Sequence, residues 1–212
     1  MKSLRHYTLL ILVAFVALTF QACKKDPVAE VPEEEISKAE LTFLEVEREA
    51  HGDHFDYEPI AGAQPLTITF DAKGLAPVGT HAHLIERKTY KVILRSFDFA
   101  GREMQQEFVE KPEIHQAFIL GAPAGTLTYA YGDKDASGNA VNVGVTGYLT
   151  VDKHTETGFT FRYVLRHLNP GVKANIKATD WNNDNFASLF AGANDLDLKF
   201  ELHPVEAGGH GH

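Results

Sequence analysis

The sequence predicts an all-β body, an antiparallel β-sandwich of immunoglobulin-like or related type, and three observations predict it. Apolar and polar residues alternate with period two over most of the chain after Ser37, the spacing that sends successive side chains to opposite faces of a strand. The alternating segments are rich in Val, Ile, Thr, Tyr and Phe, and Gly, Pro, Asn or Asp break them at the intervals of a sandwich or small barrel. Only two short stretches suit helices, Glu103–Glu110 and Asn185–Phe190, too few to separate the strands of a parallel doubly wound sheet.

In chain order the expected strands are Ala39–Val46, Pro65–Asp71, Thr89–Asp98, Glu113–Leu120, Thr126–Tyr131, Val141–Val151, Gly158–His167 and Asp195–His203. The alternation is clearest in the last two. Phe159, Phe161, Tyr163 and Leu165 share one face, with Thr160, Arg162, Val164 and Arg166 on the other. Leu196, Leu198, Phe200 and Leu202 point inward, which leaves Asp197, Lys199 and Glu201 outside. The segment Gly121-Ala-Pro-Ala-Gly-Thr126 lacks the Lys of a phosphate loop, and Pro123 removes an amide donor, so it reads as a hairpin turn.

Composition narrows the function classes. The chain has 212 residues and a formal charge of -9, with no clustered Lys or Arg, which argues against a nucleic-acid partner. One Cys excludes a disulfide framework and a thiolate metal cluster. No Gly-x-Ser-x-Gly elbow, His-Glu-x-x-His or Walker loop occurs, so the chain is not expected to be an enzyme.

The N-terminus carries an address. Lys2 and Arg5 precede an apolar run from Tyr7 to Phe20, about 21 Å long as a helix at 1.5 Å per residue, against a bilayer core of about 30 Å. The run ends in Phe20-Gln21-Ala22-Cys23, which resembles a bacterial lipobox, although Phe20 and Gln21 depart from its commonest pattern. Residues 1–22 are then a lipoprotein signal peptide, cleaved before a Cys23 that carries acyl chains. A plain secretory signal with an incidental Cys, or an uncleaved anchor helix, are the alternatives. Residues 23–37 hold the lipidated Cys and an acidic, Pro-containing linker, 38–205 the sandwich, and 206–212 a Gly/His tail. Lys24 rather than Asp after the Cys is the usual pattern for outer-membrane retention, facing the periplasm or the cell surface.

Metal ligation is the chemistry most visible in the residues. His51-Gly-Asp-His54 lies among Asp53, Asp56 and Glu58, read as a loop. His81-Ala-His83 places two imidazoles on one face of a strand, and His210 and His212 stand in the tail. Imidazole with carboxylate suits Zn²⁺, Cu²⁺ or Ni²⁺. The remaining histidines have plainer readings. His167 continues the inward face of its strand as a core or hydrogen-bonded residue, His115 is ambiguous, and His154 and His203 read as turn or surface residues. Asp133-x-Asp135-x-Ser137-Gly138 begins like a calcium loop, but position 12 is Gly144, so an Asx turn between strands is the simpler account. Trp181 reads as a lid over one end of the sandwich.

The stretches Lys88–Tyr90, Glu113–Phe118, Thr128–Asn139, Val143-Gly144, Val164–Gly171, Asp180-Trp181-Asn182 and Asp195–Phe200 together resemble a group of small uncharacterised Bacteroidota lipoproteins with an all-β domain. The resemblance covers residues 84–203 and implies no catalysis.

The expectation is therefore a lipid-anchored outer-membrane binding protein. It would capture a divalent transition metal through His51, His54, His81, His83, His210 and His212 for an outer-membrane receptor. The other readings are a structural or accessory module of an envelope complex, and haem capture by two imidazoles.

Overall fold

The structure, a computed structural model, describes residues 36–208. The expected signal peptide, Cys23, most of the linker, and tail residues His210 and His212 lie outside them.

The strands are β1 (Ile36–His51), β2 (His54–Pro59), β3 (Leu66–Asp71), β4 (His81–Ile85), β5 (Thr89–Asp98), β6 (His115–Leu120), β7 (Leu127–Tyr131), β8 (Asp133–Lys134), β9 (Ala140–Val141), β10 (Thr146–Val151), β11 (Phe159–Leu168) and β12 (Gly192–Val205). The α-helices are α1 (Gln105–Glu110) and α2 (Phe186–Leu189), close to the two predicted stretches. Strands take 52% of the described residues and helices 10%, so no helical layer separates the strands and the fold is all-β.

Two sheets carry the fold. The first runs β2-β1-β5-β10-β7, with β3 pairing Lys38–Phe43 of β1 while β2 pairs the far end of the same long strand. The second runs β4-β12-β11-β6. Pairing is antiparallel except between β4 and β12, which run parallel, a departure from the uniformly antiparallel expectation. Segment Gly121–Thr126 is not a hairpin turn: it connects β6 in the second sheet to β7 in the first.

One apolar cluster draws on both sheets. Leu41, Phe43, Phe70, Val92 and Leu94 come from the first, and Ile119, Phe161, Tyr163, Leu165, Leu198 and Phe200 from the second. Phe43 meets Phe161 and Phe200 edge-on at ring separations of 6.0 and 5.9 Å, so aromatic contacts join the two layers. Each such fully buried side chain contributes about 1.5–3 kcal/mol by leaving water. Trp181 belongs to this cluster, tilted against Tyr129. The opposite face of the second sheet is covered too. There Phe118, Leu120, Val164 and Leu168 pack under Phe186 and Phe190 around α2. Strand β6 is consequently buried along its whole length.

Two local departures have clear causes. His51 and His54 pair directly, so Gly52-Asp53 is a two-residue hairpin turn rather than part of an open loop. Gly52, at φ +63°, takes the first central position, which favours glycine. The single strand expected over Val141–Val151 is broken, because Gly144 sits at φ +105° with a Cβ at that position only 2.4 Å from that of Ala117. The Asp133 carboxylate accepts the amides of Gly144 and Thr146, so the chain bends around it before β10 begins.

Candidate metal centre

The inner face of the second sheet ends in polar residues. His115 and His167 are direct partners across β6 and β11. Alternation places His115 on the face of Ala117 and Ile119, and His167 on that of Tyr163 and Leu165, all four in the core. The third member, Asp195, comes from a β-bulge. Leu165 pairs Leu196 and Arg166 pairs Asn194, so Asp195 is the extra residue of β12. A bulge re-aims a side chain, and this one sets the Asp195 carboxylate, 7% exposed, beside both imidazoles.

The distances fit a small cation. His115 Nε2 lies 3.5 Å from Asp195 Oδ2, and His167 Nδ1 lies 3.6 Å from Asp195 Oδ1. One ligand atom from each residue falls within 4.8 Å of the others. Ligand atoms around a tetrahedral zinc stand about 3.3 Å apart, so small side-chain shifts would complete the coordination. The donor set of two imidazoles and one carboxylate is that of zinc and other divalent transition metals, and it leaves a coordination position for an incoming ligand.

The proton on His115 is assigned by its neighbours. Its Nδ1 stands 3.0 Å from the Lys111 carbonyl oxygen, which can only accept, so Nδ1 carries the hydrogen. Nε2 is then a bare lone pair, fully buried, making no hydrogen bond and facing a carboxylate oxygen. A metal ion bound between them would accept an electron pair from each. Burial, and then the nearby His167, push His115 down to about 4, so this imidazole is neutral at neutral pH. Burial, and then the positive charge of Lys111, also lower His167, whose side chain is 23% exposed. The Phe108 ring from α1 closes the other side, edge-on to His115 at 5.1 Å.

The strand carrying His115 is held from beneath. Lys173 Nζ donates to the carbonyls of His115 and Asn142, and Tyr131 donates to the carbonyl of Ala117 at 2.8 Å. Burial pushes Lys173 down to about 7 and Asp133 up to about 6, with each partly countering the other through opposite charge. Such supports limit how far the ligand-bearing backbone can move.

The histidines singled out by spacing lie elsewhere. His51 and His54 face each other at the exposed tip of the β1–β2 hairpin in the first sheet. Their nearest charges are Glu49, Asp53 and Asp56, at 3.3 to 3.9 Å. His81 and His83 stand on β4 in the second sheet and do share a face, with His203 of β12 beside them. Burial, then His203 and His81, lower His83. Among the described residues, none of these four belongs to a group with three ligand atoms in mutual reach; that group is His115–His167–Asp195. The calcium-like loop is an Asx turn. Asp135 accepts the amides of Ser137 and Asn139 at 2.8 Å, whereas Asp133 turns inward to Gly144.

Alternation puts His167 on an inward face, where it reads as a core or hydrogen-bonded residue, and leaves His115 ambiguous between two apolar faces. It gave no sign of Asp195, which the same alternation sends outward beside Leu196. None of the family models, curated proteins or solved structures compared with the chain matches it.

Proposed function

We propose that this protein is a metal-capturing β-sandwich, held at the outer membrane by acyl chains on Cys23, and that it takes up a divalent transition metal at His115, His167 and Asp195. The observation that carries this reading is the buried, proton-free Nε2 of His115, 3.5 Å from the Asp195 carboxylate. The imidazole is neutral at neutral pH and the Lys111 carbonyl sets its tautomer, the support that metal-ligating histidines ordinarily receive. The lipobox-like Phe20-Gln21-Ala22-Cys23 supports the anchor. No described helix is long and apolar enough to cross a membrane.

Calorimetric titration with Zn²⁺ tests the reading, on a chain carrying His210→Ala and His212→Ala to silence the tail. The expected result includes one binding event with a dissociation constant of about 1 μM or tighter, about −8 kcal/mol, that His115→Ala with His167→Ala removes from the isotherm. An isotherm left unchanged in number and strength of binding events by the loss of the two imidazoles would overturn the site and favour a structural module of an envelope complex. Mass spectrometry of the membrane-derived protein should find acyl chains on Cys23; a bare thiol would remove the anchor.

A further inference from the structure

The outer face of the second sheet carries a second cluster that spacing alone revealed only in part. The parallel register of β4 and β12 sets His83 directly opposite His203, and places His81 opposite Glu201. His81 and His83 share a strand face by their spacing of two. The three rings form a triangle, with centroids 5.1 Å apart for His81–His83, 5.7 Å for His81–His203 and 5.2 Å for His83–His203. Three imidazoles bound through nitrogen to one tetrahedral zinc have centroids about 5 Å apart, given Zn–N bonds of about 2 Å. One nitrogen from each ring does not yet lie within 4.8 Å of the others, so the rings must turn about their side-chain bonds to meet on one ion.

Two of the rings are also oriented. His81 Nδ1 lies 2.9 Å from the Gly79 carbonyl oxygen, so it holds the proton and leaves Nε2 as a lone pair. His203 Nε2 lies 2.9 Å from Glu201 Oε1, which by the same logic leaves Nδ1 bare. A carbonyl and a carboxylate behind the rings are the supports that orient histidine ligands. The backbone of Gly158 makes room for the third ring. A Cβ there would stand 2.5–2.8 Å from three atoms of the His203 imidazole, so any larger residue displaces it.

We infer that His81, His83 and His203 form a second, solvent-facing site for a divalent transition metal, Zn²⁺ or Cu²⁺. It is independent of the buried centre, since the three rings lie on the opposite face of the same sheet. Its ligands are more exposed, so an ion exchanges here without passing Phe108. His203 completes a pair that would otherwise offer only two ligands.

Zinc titration followed by NMR of the histidine ring signals tests this, on the full chain with His210→Ala and His212→Ala. The signals of His81, His83 and His203 should move together and saturate at a single equivalent for this site. His203→Ala should weaken the response of His81 and His83 at least about tenfold. Gly158→Ala, which keeps all three ligands but displaces one ring, should weaken it by a similar factor. His115 and His167 report the buried centre separately and should respond unchanged in both variants. Signals of the three rings that stay still on adding zinc, or that His203→Ala leaves equally responsive at His81 and His83, would overturn the second site. Loss of response at His115 and His167 alone would instead overturn the buried one.

Discussion

The two faces of the second sheet treat histidine in opposite ways. On the inner face, His115 is fully buried, its Nδ1 proton is held by a carbonyl, and an aromatic ring from α1 covers it. On the outer face, His81, His83 and His203 gather by strand register, with water on one side. Burial selects the neutral imidazole and fixes its direction before any ion arrives, at a cost in stability that the surrounding core offsets. On the outer face His81 and His203 are each steadied by one neighbour, but the three rings do not yet bring their nitrogens together, so part of the order would have to come with an ion. The same residue type is thus held in one direction in one place and left partly adaptable in the other.

The largest expected effect comes from making the inner face resemble the outer one. Phe108→Ala removes a fully buried ring and should cost about 3–5 kcal/mol in urea denaturation. Water reaching His115 should move its NMR titration up from about 4 toward the ordinary 6.5. A titration that stays put would mean that Phe108 does not shield the centre.

A smaller effect lies in pH. Between 6.5 and 4 the unfolded chain binds a proton that folded His115 refuses, so this residue's contribution to stability falls as pH falls through that window. Asp133 works the other way. Its folded value of about 6, against an ordinary 3.8, lets the folded chain keep a proton that the unfolded chain has lost, so its contribution grows as pH falls from 6 to 3.8. Comparing the protein with His115→Gln cancels Asp133. The stability advantage of His115 over Gln should shrink by up to about 3 kcal/mol between pH 7 and 4, measured by denaturant midpoints. Parallel stability curves would show that folding leaves His115 ionising as it does in the unfolded chain.

Asp195→Asn tests the bulge. It keeps the shape but removes the charge, and zinc affinity at the buried centre should fall by about ten- to hundredfold in calorimetry. The smallest effect is expected at the hairpin tip, where His51→Ala with His54→Ala touches only exposed rings and carboxylates. Thermal unfolding should place the stability change within about 0.5 kcal/mol. A larger loss would mean that the tip contributes more than its exposure suggests.

Much of this protein was legible residue by residue. Strand β5 could be bounded from its alternation alone, and Phe161, Tyr163, Leu165, Leu198 and Phe200 could be assigned to the core because period-two patterning is a local property of a half-buried strand. The same patterning put His167 on an inward face and left His115 ambiguous between two apolar faces, and a spacing of two put His81 with His83. It could not show that β1 turns back at Gly52, because a two-residue turn between polar strands leaves a weak hydropathy signal. Which strand lies beside which was decided only by the packed sheets. Residues 115 and 167 became partners through the β6–β11 register, His203 joined His83 through an unforeseen parallel pair, and Asp195 turned inward because β12 carries one residue more than β11 has places for. Alternation belongs to one strand at a time, whereas the His115–His167–Asp195 group draws on three and the His81–His83–His203 cluster on two.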